Sequence, residues 1–135
     1  MKKVTCIISS FLAVGLLATS ACMAVSSNLF DVAMHCDQVS RQLEQLANNN
    51  RNVPCVENVA LSATYLDAAT KNLWHAKTPQ ALMHLNFASK ELNVMSGMPQ
   101  CAYFIPKIKP FLVTLVQLKV EIEMLDPNQI SKAHQ

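Results

Sequence analysis

Histidine and cysteine carry most of the chemical reach of this chain. Of four histidines, His35, His75 and His84 fall inside segments that read as helical, and Met34 and Met83 stand directly before two of them. Imidazole nitrogen beside thioether sulfur is a soft ligand set, suited to a transition metal or to haem iron, and helix bundles hold such ligands between facing helices. Against that chemistry, His35 and His84 flank the apolar stripes of their segments rather than lying on them, and no Cys-x-x-Cys-His sequence attaches a haem. The chain also lacks a nucleophile elbow, a phosphate-cradling loop, a His-Glu-x-x-His and a Cys-x-x-Cys. Its acidic residues are scattered singly, as solvated helix faces require. The expectation is a non-catalytic protein without a cofactor, with a metal- or haem-binding bundle using His35, His75 and His84 as the alternative.

The cysteines depend on where the chain is sent. Residues 1–24 have the three parts of a secretory signal: basic Met1-Lys2-Lys3, the apolar run VTCIISSFLAVGLLA, and the small-residue exit TSACMA. Cleavage after Ala24, or after Ala21, sends the mature protein to a bacterial periplasm or outside the cell. TSAC ending at Cys22 also resembles a lipobox, although Thr19 stands where a large aliphatic residue is usual, so an outer-membrane lipoprotein acylated at Cys22 is a minority alternative. An uncleaved anchor is a further one, since Val4 to Val25 is just long enough to span a bilayer.

Removal of 24 residues from 135 leaves 135 − 24 = 111, enough for one small domain, 25–127, and a C-terminal tail, 128–135. Lys2 and Lys3 leave with the signal, so 11 − 2 = 9 basic residues face 9 acidic ones. A mature chain of zero formal charge gives no support to a nucleic-acid or anionic-membrane surface. Cys36, Cys55 and Cys101 remain, and an odd count in an oxidising compartment predicts one bridge and one leftover thiol, or a bridge to another chain.

The stretch SGMPQCAYFIPKIKP, Ser96 to Pro110, is the second place where residue types point to function. Tyr103, Phe104 and Ile105, followed by Lys107 and Lys109 among prolines, join rigid apolar side chains to positive charge on a restrained backbone. Recognition surfaces have this composition, with aromatics as anchors. The competing use of Tyr103 and Phe104 is to fold down over the top of the core.

These residues must be positioned by the segments around them. Leu29, Val32, Cys36, Val39, Leu43 and Leu46 recur at intervals of three and four, predicting a first helix from about Asn28 to Asn48. Asn28 is its cap, Asp31 lies in its first turn, and NNNRN ends it. A second helix begins at Pro54 and ends near Trp74 to Lys77, with Val56, Val59, Ala63, Leu66, Ala69 (or Thr70) and Leu73 inward. Thr78 and Pro79 start a third as cap and first position, with Ala81, Leu85, Ala88, Leu92 and Met95 inward, stopped by Gly97 and Pro99. A fourth, Pro110 to Leu125, buries Phe111, Leu115, Leu118, Ile122 and Leu125, although VQLKVEIEM also alternates like an edge strand. No second strand candidate exists to pair with it. Val113, Val116, Val120 and Met124 lie off its main stripe, consistent with a partner helix, a homodimer through this helix or a central position in the bundle.

Four helices with short connections predict an all-α, up-down bundle. If the first helix points up, Cys55 and Cys101 both lie at the top. Cys36 is about 13 residues lower, roughly 20 Å along a helix, and a disulfide needs its α-carbons within about 7 Å. The topology therefore predicts a Cys55–Cys101 bridge with Cys36 reduced and buried. The functional expectation is an exported binding module that recognises a protein or cell-envelope component through the loop, with a lipid-anchored structural envelope protein as another alternative.

Overall fold

The computed structural model describes residues 28–125. The signal segment, Cys22 and the tail 128–135 lie outside the described residues. Four α-helices follow one another up and down: α1 (Leu29–Asn48), α2 (Val56–Trp74), α3 (Thr78–Met95) and α4 (Ile105–Glu123), with a 3₁₀ turn at Pro99–Cys101 before the last. No strand is present among the described residues, which settles VQLKVEIEM as helix.

Each boundary has a local cause. Asn28 accepts the Asp31 backbone N–H at 2.8 Å and donates from its amide to the Asp31 carboxylate at 2.7 Å, so the expected cap forms. At the other end of α1 the asparagines act by competing for the backbone rather than by turning left-handed. Asn49 keeps a right-handed helical conformation, while the Asn50 amide donates to the Leu46 carbonyl at 2.8 Å.

Helix α2 begins two residues later than Pro54 suggests. Cys55 has φ 71°, a left-handed conformation that breaks the helical path just before Val56. The helix ends at a second left-handed residue, Ala76 with φ 55°. There the Lys77 N–H reaches the Asn72 carbonyl at 2.8 Å and the Ala76 N–H reaches Leu73 at 2.9 Å, the paired bonds of a Schellman stop.

Thr78 and Pro79 are the first two residues of α3, each one place further inside than expected, and Lys77 occupies the cap position. Gly97 does not use its conformational freedom, because its φ is not positive. The helix instead tightens through Ser96, Gly97 and Met98, each bonding three residues back, and Pro99 bars continuation.

Helix α4 starts five residues before Pro110. Pro106 fits its first turn, and Pro110 lies inside, depriving the Pro106 carbonyl of a helical partner. Both prolines are exposed, so water can satisfy that carbonyl. Pro110, expected at the start of the fourth helix, therefore lies in its second turn, and the loop proline Pro106 in its first.

The core contains the expected stripe residues of all four helices, among them Leu43, Leu66, Leu92 and Leu118. It also holds Ser40 and Ser62, which hydropathy does not place inside, and both Ala69 and Thr70, which the spacing offered as alternatives. The Ser40 hydroxyl donates to the Ala63 carbonyl at 2.8 Å, Ser62 to Ala88 at 3.1 Å, and Thr70 to Leu66 at 2.9 Å. Two of these bonds cross between helices. With Ala33, Cys36, Ala63, Ala81 and Ala88 lining the same contacts, α1, α2 and α3 approach one another closely. Helix α4 offers Ile108, Leu115, Leu118 and Ile122 instead, and stands further from α1 and α3.

Candidate functional site

The upper end of the bundle is where the loop residues gather. Cys55, turned by its left-handed backbone, and Cys101, on the 3₁₀ turn, are joined as a disulfide with α-carbons 5.4 Å apart. The bridge fastens the α1–α2 connection to the α3–α4 connection across 46 residues of sequence. Because α2 and α4 are diagonal in the bundle, it is the α3–α4 connection that crosses the end to make the bond. Cys36 is free and fully buried on α1, its thiol directed at the Leu66 carbonyl at 3.5 Å. Burial pushes that thiol from 9.0 up to about 11, against a smaller opposing effect from the Thr70 hydroxyl.

The two adjacent aromatics part company. Phe104, expected beside Tyr103 on a recognition surface, is completely buried instead and plugs the end of the core, so it presents no surface to a partner. The short helical turn at Pro99–Cys101 leads directly into α4, where consecutive side chains point about 100° apart, and the direction of entry turns Phe104 to the core and Tyr103 outward. Tyr103 is the outward one, 45% exposed. Its hydroxyl donates to the Asn50 side-chain oxygen at 2.6 Å, which is a second tie between the two connections. Its ring meets Phe104 edge-on, with centroids 5.2 Å apart, and the Lys107 ammonium lies 4.2 Å from the ring centroid.

Ile105 is half-buried as the first residue of α4. Lys109 is exposed, but two residues beyond Lys107 is about 200° round a helix. It therefore belongs to the outer side of α4 and not to the Tyr103–Lys107 group. On the near side of the bridge a shallow groove of about 490 Å³ is lined by Arg51, Val53, Pro54, Val56, Met98 and Gln100. Arg51 and Lys107 stand at this end with Glu57 of the same groove, and the positive N-termini of α2 and α4 are offset by the negative C-termini of α1 and α3, which lie there too.

The three histidines do not form one site. His35 on α1 faces α4, where Nδ1 lies 3.1 Å from the Glu121 carboxylate. His84 on α3 packs beside Tyr65 of α2 and Phe87, with centroids 6.3 and 6.2 Å away, and its buried Nδ1 has no hydrogen-bond partner. His75 is exposed at the end of α2. Helices α1 and α3 are parallel, so His35 and His84 share a height, but they are diagonal and these side chains turn towards different neighbours. Among the described residues no three His, Cys, Asp or Glu side chains are grouped to hold a metal ion.

Asn50 and Arg51 are functional candidates that composition did not suggest, since NNNRN reads only as a helix stop. Nothing in the sequence announces the Tyr103–Asn50 bond, because it depends on the crossing of the two connections. No helix among the described residues is long and apolar enough to cross a membrane. The chain matches no protein-family model, no curated protein and no solved structure.

Proposed function

We propose that this is an exported, non-catalytic helical module that recognises another protein or a cell-envelope component through its disulfide-fastened end, with Tyr103 as anchor and Ile105 and Lys107 beside it. The observation that carries the reading is the state of Tyr103: a half-exposed ring held by Asn50 at its hydroxyl, by Phe104 at its edge and by Lys107 over its face. An aromatic already fixed in place loses little freedom on binding, and the bridge beneath it keeps both connections from adjusting.

Recovery of a partner from extract of the native cell or its host tests this. Tyr103→Ala combined with Lys107→Ala is expected to reduce recovery about thirtyfold while helix content stays unchanged. Full recovery by that folded double variant removes the proposal. Phe104 is left intact because its loss would confound binding with folding.

A lipid-anchored envelope protein is the second reading. Phe30 and Trp74 meet edge-on at 5.5 Å, both about half exposed, near exposed Met34 at the lower end. The chain enters α1 at this end, a few residues after Cys22, and aromatic side chains suit a membrane interface. Intact mass of the protein from the membrane fraction distinguishes the readings, since an unmodified or absent Cys22 excludes the anchor.

A further inference from the structure

Helix α4 is apolar on two opposite sides. Ile108, Leu115, Leu118 and Ile122 face the core. Val113, Val116, Val120 and Met124, spaced by three and four, point about half a turn away and are 59, 65, 47 and 53% exposed. Isolated apolar residues on a surface are ordinary, but a continuous row down the outer side of a bundle helix is not, because that side normally carries charge.

Charge on the same side indicates what covers the row. Lys109 stands at its N-terminal end and Glu123 at its C-terminal end, both exposed and neither in an ion pair among the described residues. Lys119, exposed one turn before Glu123, lies at the flank in the α3–α4 groove beside Leu112 and Val116, so along the row itself the surface is positive at Lys109, negative at Glu123 and apolar between, which is complementary to itself when turned end for end. We infer that two copies of this chain associate through α4, packed antiparallel on α4 of the partner subunit about a two-fold axis near Val116 and Gln117. In this register Val113 meets Val120 of the partner subunit, Val116 approaches Gln117 of the partner subunit, and Lys109 reaches Glu123 of the partner subunit. A parallel pairing sets lysine on lysine and glutamate on glutamate, which opposes association. The two-fold axis makes each contact occur twice, so each substitution acts twice.

The test is sedimentation of the protein, purified from the cell that makes it, over a concentration series in the micromolar range. A reversible monomer–dimer equilibrium is expected. Val116→Glu, at an exposed position, is expected to raise the dimer dissociation constant on the order of a hundredfold with helix content unchanged. Lys109→Glu and Glu123→Lys should each raise it about tenfold, and the two together should restore it. Tyr103→Ala should leave it unaltered, which separates this surface from the fastened end. A monomer throughout the series, or a dimer indifferent to Val116→Glu, overturns the inference. Charge reversals that are not rescued by their combination overturn the antiparallel arrangement.

Discussion

Phe104 and Tyr103 are neighbours in sequence with opposite energetic roles. Phe104 has no exposed surface, so Phe104→Ala opens a cavity at the end of the core and should cost about 3 to 5 kcal/mol, read as a lower midpoint in chemical denaturation. Tyr103→Ala removes one exposed hydrogen bond and a cation over a ring, each partly replaced by water, and should cost no more than about 1 kcal/mol. In sequence the two residues have the same two possible uses, because adjacent aromatics have the same composition whichever one turns inward. The deciding fact is the direction in which the turn at Pro99–Cys101 enters α4. Cys36 makes a prediction of a different kind. Its folded-state pKa of about 11 lies above its ordinary 9.0, so the folded chain keeps the thiol proton over a range in which the unfolded chain loses it. The corresponding stability is fully present below pH 9.0 and declines as pH rises towards about 11, by roughly 2 to 3 kcal/mol in all. Denaturation of Cys36→Ala across the same range should lack this part of the decline. Equal slopes in the two proteins would show that Cys36 does not contribute.

At the scale of elements, legibility follows the kind of force involved. The stripes of leucine and valine announce the helices because burial of apolar area depends on spacing alone, and the predicted inward residues are buried in all four apart from Leu29, Leu46, Val56 and Phe111, which pack against the core half-buried. Ser40 and Ser62 are missed because a buried hydroxyl is stabilised by a carbonyl on the next helix, a partner that exists only after packing. The prolines of α4 mislead for a related reason: Pro110 breaks a helix unless its freed carbonyl is wetted, and wetting is a matter of which side faces water. The histidines share a height that counting along helices captures, while the direction round each helix separates them. The bridge, by contrast, was within reach of topology, since up-down connectivity places both cysteines at one end and leaves Cys36 too far below. Closing 46 residues of chain is worth about 4 kcal/mol in the chain-entropy account, so Cys101→Ser should lower stability by about that amount. A loss near zero would mean that the Phe104 plug and the Tyr103–Asn50 bond hold the connections without it.

In the molecule as a whole, these element-level differences predict an order of opening. Small side chains and inter-helix hydroxyl bonds bring α1, α2 and α3 close, whereas α4 is held at greater distance by Leu115, Leu118 and Ile122. Among the described residues its side-chain polar link to the rest, apart from the disulfide-tied end, is His35 with Glu121 at the part-exposed lower half. Such pairs contribute little, so α4 is retained mainly by apolar contact and by the covalent fastening at its start. Local opening favours elements with fewer buried contacts. Native-state hydrogen exchange should therefore show the amides of the C-terminal half of α4 exchanging before those in the middle of α2. Cys101→Ser should extend that early exchange to the N-terminal half of α4 and leave α1 and α2 slower. Raising the protein concentration should slow exchange in α4 selectively if the outer valine row is covered by a second copy, because binding protects the folded form it requires. Uniform exchange along all four helices would instead mean that the bundle opens in one cooperative step, with α4 as firmly held as its neighbours.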